Sequence, residues 1–177
     1  MYKHPIAFLS VNNLTAARYA AAMMVDYVGF CFDSNSDQFI TVAKAKEIMG
    51  WLSGVKFIGE FNQKPADEIV AIALELQLDA VLIQGNYSPE EIASMPFQKI
   101  GPSSIFGIDC LLEPEQITNQ DGSIFALTFT TGGEDETGMM DFETLSEKLQ
   151  ELELESSTLN KLLPWLKKKR KFIPPYF

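Results

Sequence analysis

Short, wholly apolar runs recur along this chain at intervals of about 20 to 28 residues, each followed by an amphipathic stretch. Ile6-Ala7-Phe8-Leu9-Ser10-Val11, Tyr27 to Phe32, Val55 to Phe61 and Ala80 to Gln84 read as strands. A fifth strand is expected within Ser104 to Leu111 and a sixth within Ile124 to Thr130. Runs that are apolar throughout, not alternating, suit strands covered on both faces, as in parallel sheets. The stretches between them carry helix signals. Asn12-Asn13 offers a cap ahead of Leu14 to Met24, Thr41 opens a helix through Ile48 and Leu52 that Gly54 closes, and Pro65 introduces Ile69 to Leu76. Ser88-Pro89-Glu90-Glu91 opens a short fourth helix, with Pro at its first turn. Asp26 and Asp79 both stand at a helix-to-strand junction, an internal repeat. A strand plus a return helix at this period gives a (β/α) barrel or an open doubly wound sheet, and periodicity does not choose between them.

Composition narrows the chemistry. The chain of 177 residues has 14 Lys and Arg against 24 Asp and Glu, a net charge of −10. Five of the basic residues form Lys167 to Lys171, so the first 166 residues hold 9 against 24, about −15. An acidic body disfavours nucleic acid, whose phosphates need a positive surface. With one histidine (His4) and two cysteines (Cys31, Cys110), a zinc site or a serine-histidine triad is hard to assemble. Neither cysteine has a sequence neighbour that would depress its pKa, so both read as buried packing residues of a reducing, cytoplasmic compartment. No secretory leader and no membrane-spanning run is expected. The whole chain, 1–177, reads as one barrel-like domain, with 143–177 as an irregular helical segment and basic tail.

Four consecutive units share order and spacing with a known family. Asn13-Leu14-Thr15-Ala16-Ala17-Arg18-Tyr19-Ala20, Asp26 to Phe32, Val55-Lys56-Phe57-Ile58-Gly59 with Asn62-Gln63, and Leu78 to Gly85 resemble phosphoribosylanthranilate isomerase. Thr137-Gly138 with Asp141-Phe142 resembles its later Gly-rich, Asp-aromatic segment. The resemblance implies a small TIM barrel of tryptophan biosynthesis that turns an aminoaldose phosphate into an aminoketose by an Amadori rearrangement. It also implies a cysteine base near the end of the first strand and an aspartate acid ending the sixth. Leu9 and Thr130 occupy those positions here. Ser10, beside Leu9, is expected on the opposite strand face.

Other positions implied by the resemblance have changed in the same direction. Gln38 stands where the family's arginine binds the anthranilate, and Ile83-Gln84-Gly85-Asn86 replaces a Leu-His-Gly-Asp-like segment. Gln38, Gln84, Asn86, Thr130, Gly132 and Gly133 are therefore the candidate ligand-binding residues, for a small polar or phosphorylated ligand. Asp109 is the best surviving carboxylate for the catalytic face, placed near the end of the fifth strand. Gly132-Gly133 is the one glycine pair, and Glu134-Asp135-Glu136 follows it. No metal and no cofactor is expected. Eight units would need roughly 200 residues, so the barrel should be shortened or irregular in its last two units, with exposed sheet edges that favour a homodimer. These features point to a barrel that has lost its acid–base pair, a pseudoenzyme or ligand-binding protein. The alternatives are a divergent active isomerase using Asp109 or Cys31, and an oligomeric interaction module.

Overall fold

The computed structural model describes residues 5–101, 109–112, 124–130, 146, 147 and 150. The expected helix at Asp141 to Leu152 therefore lies outside the described residues, apart from the helical Ser146, Glu147 and Gln150. Gly132, Gly133, the acidic run after them and the basic tail also lie outside. Where the sequence reads one domain over 1–177, the chain divides into two compact units, His4–Gly133 and Met1–Lys3 with Glu134–Phe177. The first unit holds the sheet.

That sheet is a closed barrel of seven parallel strands in sequential order. The strands are β1 (Ile6–Leu9), β2 (Tyr27–Cys31), β3 (Lys56–Phe61), β4 (Ala80–Ile83), β5 (Gln98–Gly101), β6 (Asp109–Leu112) and β7 (Ile124–Thr130). The helices α1 (Leu14–Ala22), α2 (Val42–Met49), α3 (Ala66–Leu76) and α4 (Pro89–Ser94) connect the first five. This is the TIM-barrel type of (β/α) fold, seven-stranded among the described residues, with a register shift between Cys110 and Leu111 late in the sheet.

The sheet edges expected to be open are not. β1 pairs with β7 from Ile6–Leu127 to Leu9–Thr130, so the barrel closes on itself and removes the reason given for a dimer. Strand β5 was not expected. Only Ile100 in Gln98-Lys99-Ile100-Gly101 is a large apolar residue, and the strand is exposed where it enters the barrel, so hydrophobicity does not reveal it. The expected fifth strand is the short β6, and the expected sixth is β7.

Alternation divides the strands into an inner and an outer face. Ala7, Leu9, Tyr27, Ile58, Ala80, Leu82, Ile100 and Ala126 pack together as the inner core. Three of these are alanines, and small inner side chains suit the narrower interior of a barrel with fewer strands. The opposite parity faces the helices. Phe8 meets Tyr19 of α1 with ring centroids 6.2 Å apart. Helix starts follow ordinary capping: Asn13 accepts from the Ala16 amide at 2.8 Å, Thr41 accepts from the Lys44 amide at 3.2 Å, and Ser88 with Glu91 forms a capping box. Helix α2 ends at Met49, short of Gly54, whose φ of +80° turns the chain into β3.

The repeated aspartates have one shared job. Asp26 Oδ2 accepts from the Ile6 amide at 2.9 Å, and Asp79 Oδ2 accepts from the Phe57 amide at 2.8 Å. Each carboxylate satisfies an early amide of the preceding strand in its unit, at the N-terminal face of the barrel. Replacing Asp26 or Asp79 by Ala leaves that amide without its acceptor and should cost about 1–2 kcal/mol each in urea denaturation. A loss near zero for both would mean that water serves the amides equally well.

Candidate functional site

The C-terminal ends of the strands form the mouth, where (β/α) barrels carry their chemistry. Its floor is marked by residual exposure. Ala7, Ile58, Ala80, Ile100 and Ala126 are fully buried, whereas Leu9, Cys31 and Glu60 keep 6%, 8% and 5% of their surface. Cys31 and Glu60 are register partners on β2 and β3. Leu9 and Thr130 are register partners across the β1–β7 seam. The backbone thus brings together the two positions that the resemblance assigns to base and acid.

Glu60 was not anticipated. It is the one buried charged residue among the described residues. Gly29 gives it room: a Cβ there would lie 2.6 Å from Glu60 Oε1 and 2.7 Å from Leu9 Cδ2. Without a side chain at position 29, a carboxyl from β3 reaches across β2 to the end of β1. There the Ser10 amide donates to Oε1 at 2.6 Å, and the Ser10 hydroxyl donates to Oε2 at 2.9 Å. Ser10 lies just past the strand with a φ of 58°, in the left-handed region. That departure from extended backbone breaks the alternation, so Ser10 bonds an inward carboxyl instead of continuing on the opposite face. Burial pushes the Glu60 pKa above the ordinary 4.5, and the two hydrogen bonds from Ser10 oppose the rise without cancelling it. The signal was present in the sequence: Glu60 shares the parity of Ile58 in a strand whose second half is apolar.

The loops around the mouth carry the expected polar residues, in two groups. Gln84, Gly85 and Asn86, following β4, line a cleft of about 500 Å³ together with Asn62, Lys64 and Tyr87. Gly85 is required there, because a Cβ would overlap the Asn62 carbonyl. The Tyr87 hydroxyl donates to the Lys64 carbonyl at 2.9 Å, and burial with the nearby Glu91 and Asp33 charges raises its pKa. Gln38 does not line this cleft. Its Oε1 accepts from Asn12 Nδ2 at 2.9 Å, joining the loops after β1 and β2. Asp109 is the first residue of β6, not near a strand end as expected, because the strand begins later than the sequence pattern indicated. Cys31 is buried and unbonded to another sulfur. Among the described residues no cluster of three or more His, Cys, Asp or Glu is placed to hold a metal, and no helix is long and apolar enough to cross a membrane.

A closed parallel barrel with its polar residues gathered at the strand C-termini defines a TIM-barrel-type protein with a mouth site. The chain is 34% identical over 83 residues to the N-(5'-phosphoribosyl)anthranilate isomerase of Rubrobacter xylanophilus, covering 46% of this chain and 40% of that protein. It is 28% identical over 88 residues to the isomerase of Caldanaerobacter subterraneus, covering 49% and 43%. These matches span about two-fifths of the length of the curated relatives. No family model matches the chain. In structure, it resembles monomers generated from the dimeric phosphoribosylanthranilate isomerase of Thermotoga maritima, with a TM-score of 0.66 at 20% identity over 79% of this chain and 93% of that one. A second isomerase, solved with reduced 1-(o-carboxyphenylamino)-1-deoxyribulose 5-phosphate, gives a TM-score of 0.72 at 19% identity over 85% and 98%. Over about half of its length the chain is similar in sequence to phosphoribosylanthranilate isomerases, and it shares their barrel fold.

Two outcomes test this geometry. Because the folded chain holds the Glu60 proton more tightly than the unfolded chain, stability falls as pH rises from about 4.5 toward the raised folded-state value. Glu60→Gln should remove that component, seen as a flatter dependence in urea denaturation at stepped pH; identical slopes would mean that Glu60 titrates normally. Gly29→Ala forces Glu60 or Leu9 aside and should cost about 1–3 kcal/mol. A loss under about 0.5 kcal/mol, the range of an unremarkable surface change, would contradict the close packing.

Proposed function

We propose that this barrel binds a small polar ligand at its mouth and does not carry out the family's Amadori rearrangement through the family's acid–base pair. The observation that carries the reading is the seam pairing of Leu9 with Thr130. A leucine cannot accept or deliver a proton, and a threonine hydroxyl does not titrate near neutral pH. General acid–base catalysis contributes about 10²–10⁴-fold per group, so losing both leaves the rearrangement slow. Gln84 and Asn86 in their cleft, with Gln38 beside Asn12, supply neutral hydrogen-bonding groups for the ligand. The cleft combines neutral polar side chains with Lys64, which suits a sugar-like ligand; Thr130, and Gly132 and Gly133 shortly after it in sequence, are the further candidates. A reducing, cytoplasmic setting accords with the buried, unpaired Cys31.

The rival reading is an active isomerase with recruited groups. Cys31 lies in the mouth floor and is the better placed of the two groups considered, since Asp109 opens its strand. Turnover of N-(5'-phosphoribosyl)anthranilate, followed by loss of substrate fluorescence, separates the readings. The wild-type chain should turn over at least about 10⁴-fold more slowly than an isomerase carrying both groups, and Leu9→Cys with Thr130→Asp should raise the rate by about 10²-fold or more. Wild-type turnover within tenfold of an ordinary family member would sink the proposal.

A further inference from the structure

The loops after β3 and β4 are fastened to each other, so the cleft that they line has fixed walls. Phe61 and Ile83 are register partners at the ends of the two strands, and the Gln84 amide donates to the Phe61 carbonyl at 3.0 Å. The Tyr87 hydroxyl donates to the Lys64 carbonyl at 2.9 Å, and Gly85 lies against the Asn62 carbonyl. Asn62, Lys64, Gln84, Gly85 and Tyr87, all placed by these contacts, line the cleft of about 500 Å³.

Four carboxamides belong to this lining: Asn62, Gln63, Gln84 and Asn86. All four residues are exposed, and among the described residues none of their side chains hydrogen-bonds another group of the chain. The amides after β1 and β2 differ in this respect, since Asn12 donates to Gln38 at 2.9 Å and accepts from Asn13 at 3.0 Å. A carboxamide offers two N–H donors and a carbonyl acceptor. A sugar hydroxyl is itself both donor and acceptor, so neighbouring hydroxyls meet one carboxamide in both senses. Apolar surface comes from Pro65, Gly85 and the Tyr87 ring, too little for an apolar ligand but enough to cover the C–H face of a sugar ring.

Charge decides which sugar fits. Lys64 is the cation of the lining, and its Nζ lies 3.3 Å from Glu68 Oε2. The positive end of α3, which follows Lys64 and Pro65, is met by Asp67 and Glu68 in its first turn. Glu91, from α4, lines the cleft as well and accepts from the Ser88 amide at 2.8 Å. A phosphate therefore finds one lysine that is already paired and a second carboxylate that repels it. We propose that this cleft binds a neutral, unphosphorylated sugar and discriminates against its phosphate ester. Asn62, Gln84 and Asn86 bond the hydroxyls, while Glu68 and Glu91 set the discrimination. The inference rests on the reading of the mouth as a polar-ligand site and narrows it to one cleft and one charge class.

NMR titration of the isotopically labelled full chain at low ionic strength tests this, with glucose and ribose, each with and without its terminal phosphate. A neutral sugar should shift the side-chain amide signals of Asn62, Gln84 and Asn86, and its phosphate ester should bind about threefold or more weakly. Gln84→Ala with Asn86→Ala, both in exposed positions, should weaken the neutral sugar about fivefold or more. Glu68→Gln, which releases Lys64, should narrow the gap between sugar and phosphate ester about twofold or more. A phosphate ester that binds as tightly as its parent, a neutral sugar unmoved by the alanines, or a gap unmoved by Glu68→Gln would each overturn the assignment and leave the polar-ligand reading standing. Binding of none of the four compounds would overturn both.

Discussion

The pairing of β1 with β7 is the constraint on which the architecture depends. Without it, seven strands would form a curled sheet with two unpaired edges, and the inner alanines would line a trough. Closure makes Ala7, Ala80 and Ala126 part of a sealed interior and gives the barrel a defined mouth. It also fixes which residues meet at the seam, since the register that buries Ile6 to Leu9 places Leu9 opposite Thr130. A one-residue slip would reverse the parity of every side chain in β1, moving Leu9 to the helix side and Phe8 inward. The seam therefore specifies the site as well as the fold.

Within that frame, the mouth floor holds the one buried charged side chain among the described residues. Its notable acidic group comes from β3, reaching β1 across the gap left by Gly29. One absent side chain thus allows a carboxyl, a left-handed serine and the entrance to α1 to be arranged together. Similarity in fold extends over most of the chain, but function follows from the side chains at the mouth.

The frame was legible because its causes are local. Apolar runs, the Asn13, Thr41 and Ser88 caps, and the junction aspartates all act within one unit, and each is recognisable from a few adjacent residues. What was hidden depends on residues distant in sequence. Strand β5 owes its existence to pairing with β4 and β6, not to its own hydrophobicity. The contact of Glu60 with Ser10 spans 50 residues, and the backbone turn at Ser10 carries no glycine or proline to announce it. The closure itself joins the two ends of the barrel. Gln84 and Asn86, which the family resemblance marked out, follow β4 directly and line one cleft, because after a strand an address along the chain is also an address on the barrel.

The junction aspartates carry a consequence for how the barrel assembles. Their bonds span only 20 and 22 residues, so each closes a short loop and marks the register of its own strand–helix–strand unit. Such contacts form at small entropic cost and favour rapid folding, whereas joining the first strand to the last must await nearly the whole sheet. The chain thus possesses nucleating clasps at the face opposite its mouth. Because the clasps lie away from the mouth, a substitution at Leu9 or Glu60 leaves them in place to guide assembly from below.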